Sequence, residues 1–382
     1  MNTKKILLIL ISIFTYGITA AQSSDDVLNL LIQKGLVNQS DADSVRADYA
    51  IKQQTIKEKQ KTFDVISKSK LSIGGFADFR YRTLQEPAKK DGFDVRRVRL
   101  DIKGNLSSEW DFRLQTDFAI SPKIIDAYFA YKPYDYFQVT GGQFKIPFGL
   151  EGPALPTILE TIDRAQISDL TGRAKDAIGD QSGRDIGVQI NGNLFKTQSN
   201  RFLLDYYLAY FNGQGINIAA DKNEAKDIVA RLVTHPYSFL DFGISYSNGY
   251  DNWGTPAKDQ NHIRYAADLS VKYNDFTFST EYIEAQEGTY VANGQTKDLI
   301  RNGWYAQAAY FFIPNKLQAV VKYDTFDKTK NDPKNDISTF YTAGANFIIT
   351  KFARVQLNYK HKVEEGNNIN KDEIVAQLEV KF

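Results

Sequence analysis

The sequence predicts an all-β transmembrane barrel of about sixteen antiparallel strands behind a short helical N-terminal extension. Two observations carry that prediction. From Leu71 to Phe382 apolar and polar residues alternate with a period of two, segment after segment. The connections between segments also alternate, one set tight and the other mostly longer and polar. A soluble β-sandwich would explain any single segment, but not the repetition.

Composition removes several function classes. The 382 residues carry 47 Lys+Arg against 46 Asp+Glu, so no basic field points to nucleic acid, and no such partner is expected. Aromatic residues reach 13%, with 22 Tyr and 25 Phe, while mean hydropathy is −0.40. An ordinary soluble domain rarely combines the two. There is no cysteine, so disulfides and thiolate metal sites are excluded.

The chain opens with MNTKKILLILISIFTYGITAAQ. Lys4 and Lys5 form a basic start, an apolar run extends from Ile6 to Phe14, and Thr19 and Ala21 precede a cleavage point before Gln22. This predicts a signal peptide over residues 1–21, too short and wrongly flanked for an anchor. No later apolar run approaches the roughly 20 residues a membrane helix needs. Residues 22–70 read as a helical periplasmic extension. A first helix places Val27, Leu30 and Leu31 on one side and stops at Gly35. A second runs from Asp41 to Lys61, with Val45, Tyr49, Ile56 and Phe63 too sparse for a convincing coiled coil; a trimer-forming helix is the alternative.

The barrel region, 71–382, is predicted to hold strands at 71–83, 92–104, 109–119, 123–132, 135–146, 184–195, 200–212 and 226–235. The second half continues at 238–249, 261–273, 275–286, 301–313, 316–326, 337–349, 353–363 and 372–382. In LSIGGFADFRYR, Leu71, Ile73, Ala77, Phe79 and Tyr81 share one face, and Ser72, Asp78, Arg80 and Arg82 the other. EWDFRLQTDF sets Phe112, Leu114 and Phe118 against Asp111, Arg113, Gln115 and Asp117. EIVAQLEVKF sets Ile374, Ala376, Leu378, Val380 and Phe382 against Gln377, Glu379 and Lys381. Tight turns at Pro133–Tyr134, Pro236–Tyr237, Asn274 and Pro314–Asn315 alternate with longer loops, among them 83–91, 213–225, 250–260, 287–300, 327–336 and 364–371. That asymmetry is the one found in outer-membrane barrels, and an even strand number closes the sheet without an edge. Outer-membrane lipid and lipopolysaccharide are the surroundings it implies.

One connection is far longer than the rest, 147–183, PFGLEGPALPTILETIDRAQISDLTGRAKDAIGDQSG. Connections of this length are usually functional or disordered. It either folds into the lumen and narrows it, with TILETIDRAQISDL as a short helix, or lies exposed on the surface.

Alternation assigns the lumen charges. On the first three strands Arg80, Arg82, Arg97, Arg99, Lys103 and Arg113 face inward, against Asp78, Asp101, Asp111 and Asp117. Arg96 has the opposite parity, toward lipid, which places it at the outer rim. Lys145 precedes the long connection, and Arg164, Arg173 and Lys175 lie within it as candidates for a basic constriction. Further round, Arg231, Arg264, Lys322 and Lys360 meet Asp126, Asp205, Asp268, Glu281 and Asp324. Guanidinium and ammonium groups can replace part of the hydration shell of an anion, so these residues form a candidate anion path. The interspersed carboxylates equally allow a salt-bridged, solvated wall and a non-selective pore.

Four stretches carry a family resemblance. VRRVRLDIKG followed by EWDFRLQTDFA, VTGGQFKIPFGLEGP, GRDIGVQINGNLF and GWYAQAAYFF resemble segments of the phosphate-selective porin O and P family. The resemblance implies a sixteen-stranded trimeric channel with basic residues at a constriction and loops folded inward. It makes Arg96 and Arg97 the counterparts of the paired arginines of the family. It makes the terminal Phe382 the signal that barrel-insertion machinery reads. The phosphate-selective members carry an arginine directly after a Gly-Gly pair in the first strand; here Gly74-Gly75 is followed by Phe76. Small anions or polar solutes, with phosphate among them, are the implied cargo; a structural or adhesive barrel is the alternative.

Catalysis, metals and cofactors are not expected. The histidines His235, His262 and His361 share no ligand spacing, and no Gly-x-Ser-x-Gly elbow, Walker loop or dinucleotide fingerprint is present. A plugged receptor needs about 22 strands, more than this chain can supply.

Overall fold

The computed structural model describes residues 24–68, 71–85, 90–170, 183–218, 224–253, 258–292, 295–330, 337–364 and 371–382. The predicted signal peptide, Arg173 and Lys175 lie outside the described residues. The chain forms two units, 1–68 and 69–382. In the first, α1 (Ser24–Gln33) is followed by α2 (Gln39–Lys68). Helix α1 stops where the sequence places Gly35. Its φ of +68° is in the left-handed region, and the amide of Leu36 donates back to Leu31 O while that of Gly35 donates to Ile32 O. Asn38 starts α2 by accepting the Asp41 amide at 2.8 Å.

The second unit is a closed antiparallel barrel of sixteen strands. Its first half comprises β1 (Ser72–Leu84), β2 (Gly92–Asn105), β3 (Trp110–Asp117), β4 (Lys123–Tyr134), β5 (Phe137–Lys145), β6 (Arg184–Lys196), β7 (Phe202–Phe211) and β8 (Asp227–Tyr237). The second half comprises β9 (Leu240–Trp253), β10 (Lys258–Tyr273), β11 (Phe276–Ala292), β12 (Gln295–Ile313), β13 (Leu317–Asp327), β14 (Ile337–Thr350), β15 (Ala353–Glu364) and β16 (Glu373–Lys381). Strand count and alternation agree with the sequence prediction. Every strand pairs with its chain neighbours, and β1 closes on β16. At the seam Gly75 and Phe382 exchange two backbone hydrogen bonds of 3.0 Å. A Cβ on Gly75 would stand 2.2 Å from Arg99 O, so no side chain fits where the last residue joins the first strand.

Closure explains how this polar chain spans a bilayer: every strand is hydrogen-bonded to a neighbour on both sides, and no edge faces lipid. Asn200, Asn274 and Asn315, at φ of 61°, 51° and 56°, form the left-handed corners of three tight turns, a conformation asparagine tolerates. Aromatic rings gather on the outer wall beside these turns. Tyr134 stacks on Tyr136 at 5.0 Å, Tyr237 on Phe239 at 5.5 Å, and Tyr310 meets Phe312 edge-on at 5.2 Å. Amphipathic rings at both ends of the apolar band are how barrels sit at the interface, and this accounts for the high aromatic content.

The structure corrects two sequence expectations. The segments predicted as loops at 250–260 and 287–300 are largely strand. Strands β9 and β10 pair out to Trp253 and Lys258, and β11 and β12 out to Ala292 and Gln295. Their polar character misled the pattern, because hairpins that continue past the membrane need no apolar face. Second, Arg96 does not face lipid. The register with β1 shifts between Asp78 and Phe79, so that Asp78 opposes Arg97 and Phe79 opposes Val95. This β-bulge leaves Arg96 unpaired and turns it inward together with Arg97. The inner wall also carries apolar residues. Phe211, Val229, Ile283 and Phe326 occupy inward positions and are buried.

Candidate functional site

Those inward apolar residues form the seat of the long connection. Between β5 and β6 the chain makes a 3₁₀ turn at Pro156–Ile158 and a short helix, α3 (Gln166–Leu170). Phe148 and Ile167 from this loop pack with Phe144, Phe211, Val229, Ile283 and Phe326 of the wall. Phe148 is 2% exposed and Ile167 is fully buried, each contributing roughly 1.5–3 kcal/mol of apolar burial.

Polar contacts then carry the loop across the lumen. On β11, Glu281 accepts the Leu150 amide at 2.8 Å and the Ser168 hydroxyl at 2.8 Å. Lys322 on β13 pairs with Glu151 at 2.5 Å, and Asp324 accepts Gln166 Nε2 at 2.7 Å. On β15, Arg354 donates to Leu159 O and Pro156 O, and Asn358 accepts the Ile162 amide at 2.8 Å. The loop finally reaches β1 and β2, where Arg96 donates to Ile162 O at 2.8 Å and pairs with Asp163 at 2.7 Å. These contacts join residues as much as 198 positions apart. Gly149 permits the first bend: it sits at φ +70°, and a Cβ there would stand 2.1 Å from Glu281 Oε1.

Against this frame the predicted basic residues divide into two groups. Those of β1 and β2 are paired, apart from Lys103. Arg80 holds Asp94 with two bonds of 2.8 and 2.7 Å, Arg97 holds Asp78 at 2.9 Å, and Arg99 holds Asp117 at 2.9 Å. The Arg99 guanidinium also lies over the ring of Phe76, 5.6 Å from its centre. Phe76 therefore faces the lumen. Arg82 lies 3.6 Å from Glu373 and 3.9 Å from Asp163. Lys103 is exposed at the far end of β2 and makes no ion pair among the described residues.

The second group borders open space. A cavity of about 510 Å³ lies between the start of the loop and the inner wall of β3–β8. Arg113, Lys145 and Arg231 line it, with Asp126, Asp205, Tyr128 and Tyr207 between them. Arg113 is fixed by two bonds to Asp101 and lies 3.2 Å from Asp126; Arg231 is fixed by Asp268 at 2.6 Å. Lys145 differs. Its ammonium donates to Pro153 O at 2.6 Å, and it makes no ion pair among the described residues. Arg164 turns back onto the loop itself, donating to Glu151 O at 2.9 Å and Ala154 O at 2.6 Å.

The sequence reading passed over Lys132, which lines the same cavity while pairing with Asp111. The inward set of β4, Asp126, Tyr128, Ala130 and Lys132, was legible from its alternation. It passed over the part played by Asp163 as well. Burial raises the Asp163 carboxyl, but Lys360, Arg96 and Arg82 outweigh that and hold it well below the usual carboxylate range. No group of three or more metal-binding side chains occurs among the described residues.

Comparison with known proteins bears on this architecture. An anion-selective porin from Comamonas acidovorans superposes with a TM-score of 0.63 at 12% identity, over 82% of this chain and 100% of that one. The outer membrane channel DcaP of Acinetobacter baumannii gives 0.61 at 12% identity, over 82% and 97%. The trimer form of OmpT from Vibrio cholerae gives 0.58 at 10% identity, over 82% and 99%. No curated protein sequence matches the chain. The family model for phosphate-selective porins O and P matches residues 71–382, the whole barrel. The family and the fold are those of channels, and the chain belongs to the phosphate-selective porin O and P family of the bacterial outer membrane.

Proposed function

We propose that this porin passes small hydrophilic solutes by passive diffusion with a modest preference for anions, and that the path runs along the inner wall of β3–β8. The observation that carries the reading is Lys145. It is a basic residue on the cavity wall, beside the point where the loop leaves β5, and it makes no ion pair among the described residues. Arg113 and Arg231 reinforce its field, while Asp126 and Asp205 keep it from binding an anion too tightly to release, as conduction requires. The crossing loop forms the constriction, because it is anchored to strands on both sides of the lumen. The barrel assembles as a homotrimer, as the OmpT relative is described to do, and residues 1–21 direct export. Phe382 in the β16 seam is the residue the barrel-insertion machinery would read.

Reconstitution into planar bilayers under a salt gradient tests this. Discrete conductance steps with an anion-favouring reversal potential are expected. Absence of steps would sink the channel reading, and a cation-favouring potential would sink the anion preference alone.

A further inference from the structure

Between the charged groups of the cavity, β5 and β6 carry a strip with no charge. Gln138 on β5 lies opposite Asn191 on β6, Thr140 lies opposite Gln189, and all four line the cavity. Strand geometry sets them at the corners of a patch roughly 7 by 5 Å, the scale of one sugar ring. Their amides are wired in sequence. Gln189 Nε2 donates to Asn191 Oδ1 at 2.9 Å, and Asn191 Nδ2 donates to Gln138 Oε1 at 3.2 Å. The relay holds the amides in place and leaves capacity at both ends. The amide N–H groups of Gln138, the carbonyl oxygen of Gln189 and the Thr140 hydroxyl make no hydrogen bond among the described residues. A phenol ring stands on either side, Tyr128 on β4 and Tyr207 on β7, the latter directly opposite Asn191. Arg113 and Arg231 at the margins are committed to Asp101 and Asp268.

We infer that Gln138, Thr140, Gln189 and Asn191, with Tyr128 and Tyr207 beside them, form a binding site for a neutral polyhydroxylated solute, a monosaccharide. Each sugar hydroxyl donates and accepts at once, so neighbouring hydroxyls can meet the donor end and the acceptor end of the relay together. A carboxylate offers acceptors only and sets its oxygens against the Gln189 carbonyl. An ammonium offers donors only and meets the N–H groups of Gln138. The tyrosine rings add apolar surface for the C–H groups of a sugar. The cavity, about 510 Å³, falls within the roughly 300–1,000 Å³ of small-molecule sites. Uncharged hydrogen bonds hold a solute weakly enough to let it leave, as conduction requires. The inference rests on the path proposed above along β3–β8 and names a solute class for it.

Saturation-transfer NMR titration of the detergent-folded, full-length protein with D-glucose tests the site. Saturable binding by the native chain is expected. Gln138→Leu combined with Asn191→Leu removes the relay and should weaken binding at least about tenfold, the loss of two hydrogen bonds. Thr140→Val should weaken it about threefold, while Thr140→Ser, which keeps the hydroxyl, should stay within about twofold of the native chain. Absence of saturable binding by the native chain would overturn the proposal. So would native affinity in the double variant with its sheet circular dichroism intact. If the double variant forms no sheet, native affinity in Thr140→Val overturns the proposal by itself. A channel that conducts in bilayers yet binds no glucose sinks this site and leaves the diffusion reading. Glucose binding by a barrel without conductance steps does the reverse.

Discussion

Two stretches of the same inner wall carry arginines that are held by carboxylates, and they differ in what lies beside them. Along β1 and β2, Arg80, Arg97 and Arg99 are buried and each meets a carboxylate within 3 Å. Along β3–β8, Arg113, Lys145 and Arg231 face a cavity of about 510 Å³. The difference does not lie in the strands, which alternate alike. Part of it lies in the loop, which leaves the wall beside Lys145 and lands on β1 and β2 through Asp163, while Arg97 and Arg99 find their carboxylates within the wall itself. Where it lands, a basic wall becomes a fastening. Where it departs, a basic wall can face solute.

Predictions that strain this contrast run from the largest effect on permeation to the smallest. Lys145→Glu puts a carboxylate at the one basic residue of the cavity lining that makes no ion pair among the described residues, so the reversal potential in a salt gradient should move strongly toward cations. An unchanged potential would remove Lys145 from the path. Gly149→Val places a Cβ against Glu281 Oε1 in a backbone region that costs a β-branched residue roughly 1–2 kcal/mol. The loop should lose its first anchor, and single-channel conductance should rise without a change of sign in selectivity. Conductance at or below that of the native channel would show that the loop does not form the constriction.

Arg97→Gln lies on the other side of the comparison. It strands Asp78, which is fully buried, and breaking such a pair costs on the order of 3–5 kcal/mol. The midpoint of urea unfolding should fall while selectivity barely changes; the reverse pattern would make Arg97 a permeation residue. The smallest effect concerns pH. Asp163 is held well below the usual carboxylate range, against the raising effect of burial, by Lys360, Arg96 and Arg82. A depressed carboxylate contributes its contact above its unfolded pKa and loses it only as pH falls through the lower, folded value. Conductance attributable to this contact should therefore be flat from pH 7 down to about 4, the ordinary carboxylate value. A step in conductance between those limits would show that Asp163 is not clamped.

Much of the barrel was legible before any coordinates. Period-two segments such as EIVAQLEVKF and tight turns at Asn274 and Asn315 are local features, and they returned the strand count and the inward parity of Arg80, Arg97 and Arg113. Arg96 was assigned to lipid because a one-residue bulge leaves no mark on alternation, yet flips every parity that depends on it. The hairpins around Trp253 and Ala292 were taken for loops because strands beyond the bilayer are free of the apolar requirement. Phe211, Val229 and Phe326 looked like ordinary apolar members of strands; that they face inward, and why, depends on the loop they receive.

The sequence alone determined a membrane barrel, its strands, and the inward parity of the regular polar positions, because alternation and turn chemistry act between near neighbours in the chain. Only the tertiary structure decided which of the inward cations remain available to a solute. That choice is made by Glu151, Asp163 and Phe148 meeting partners on distant strands, as when Lys360 pairs with Asp163 across 197 positions. No local pattern records such a meeting, since the fit depends on how the closed wall curves back toward its own loop.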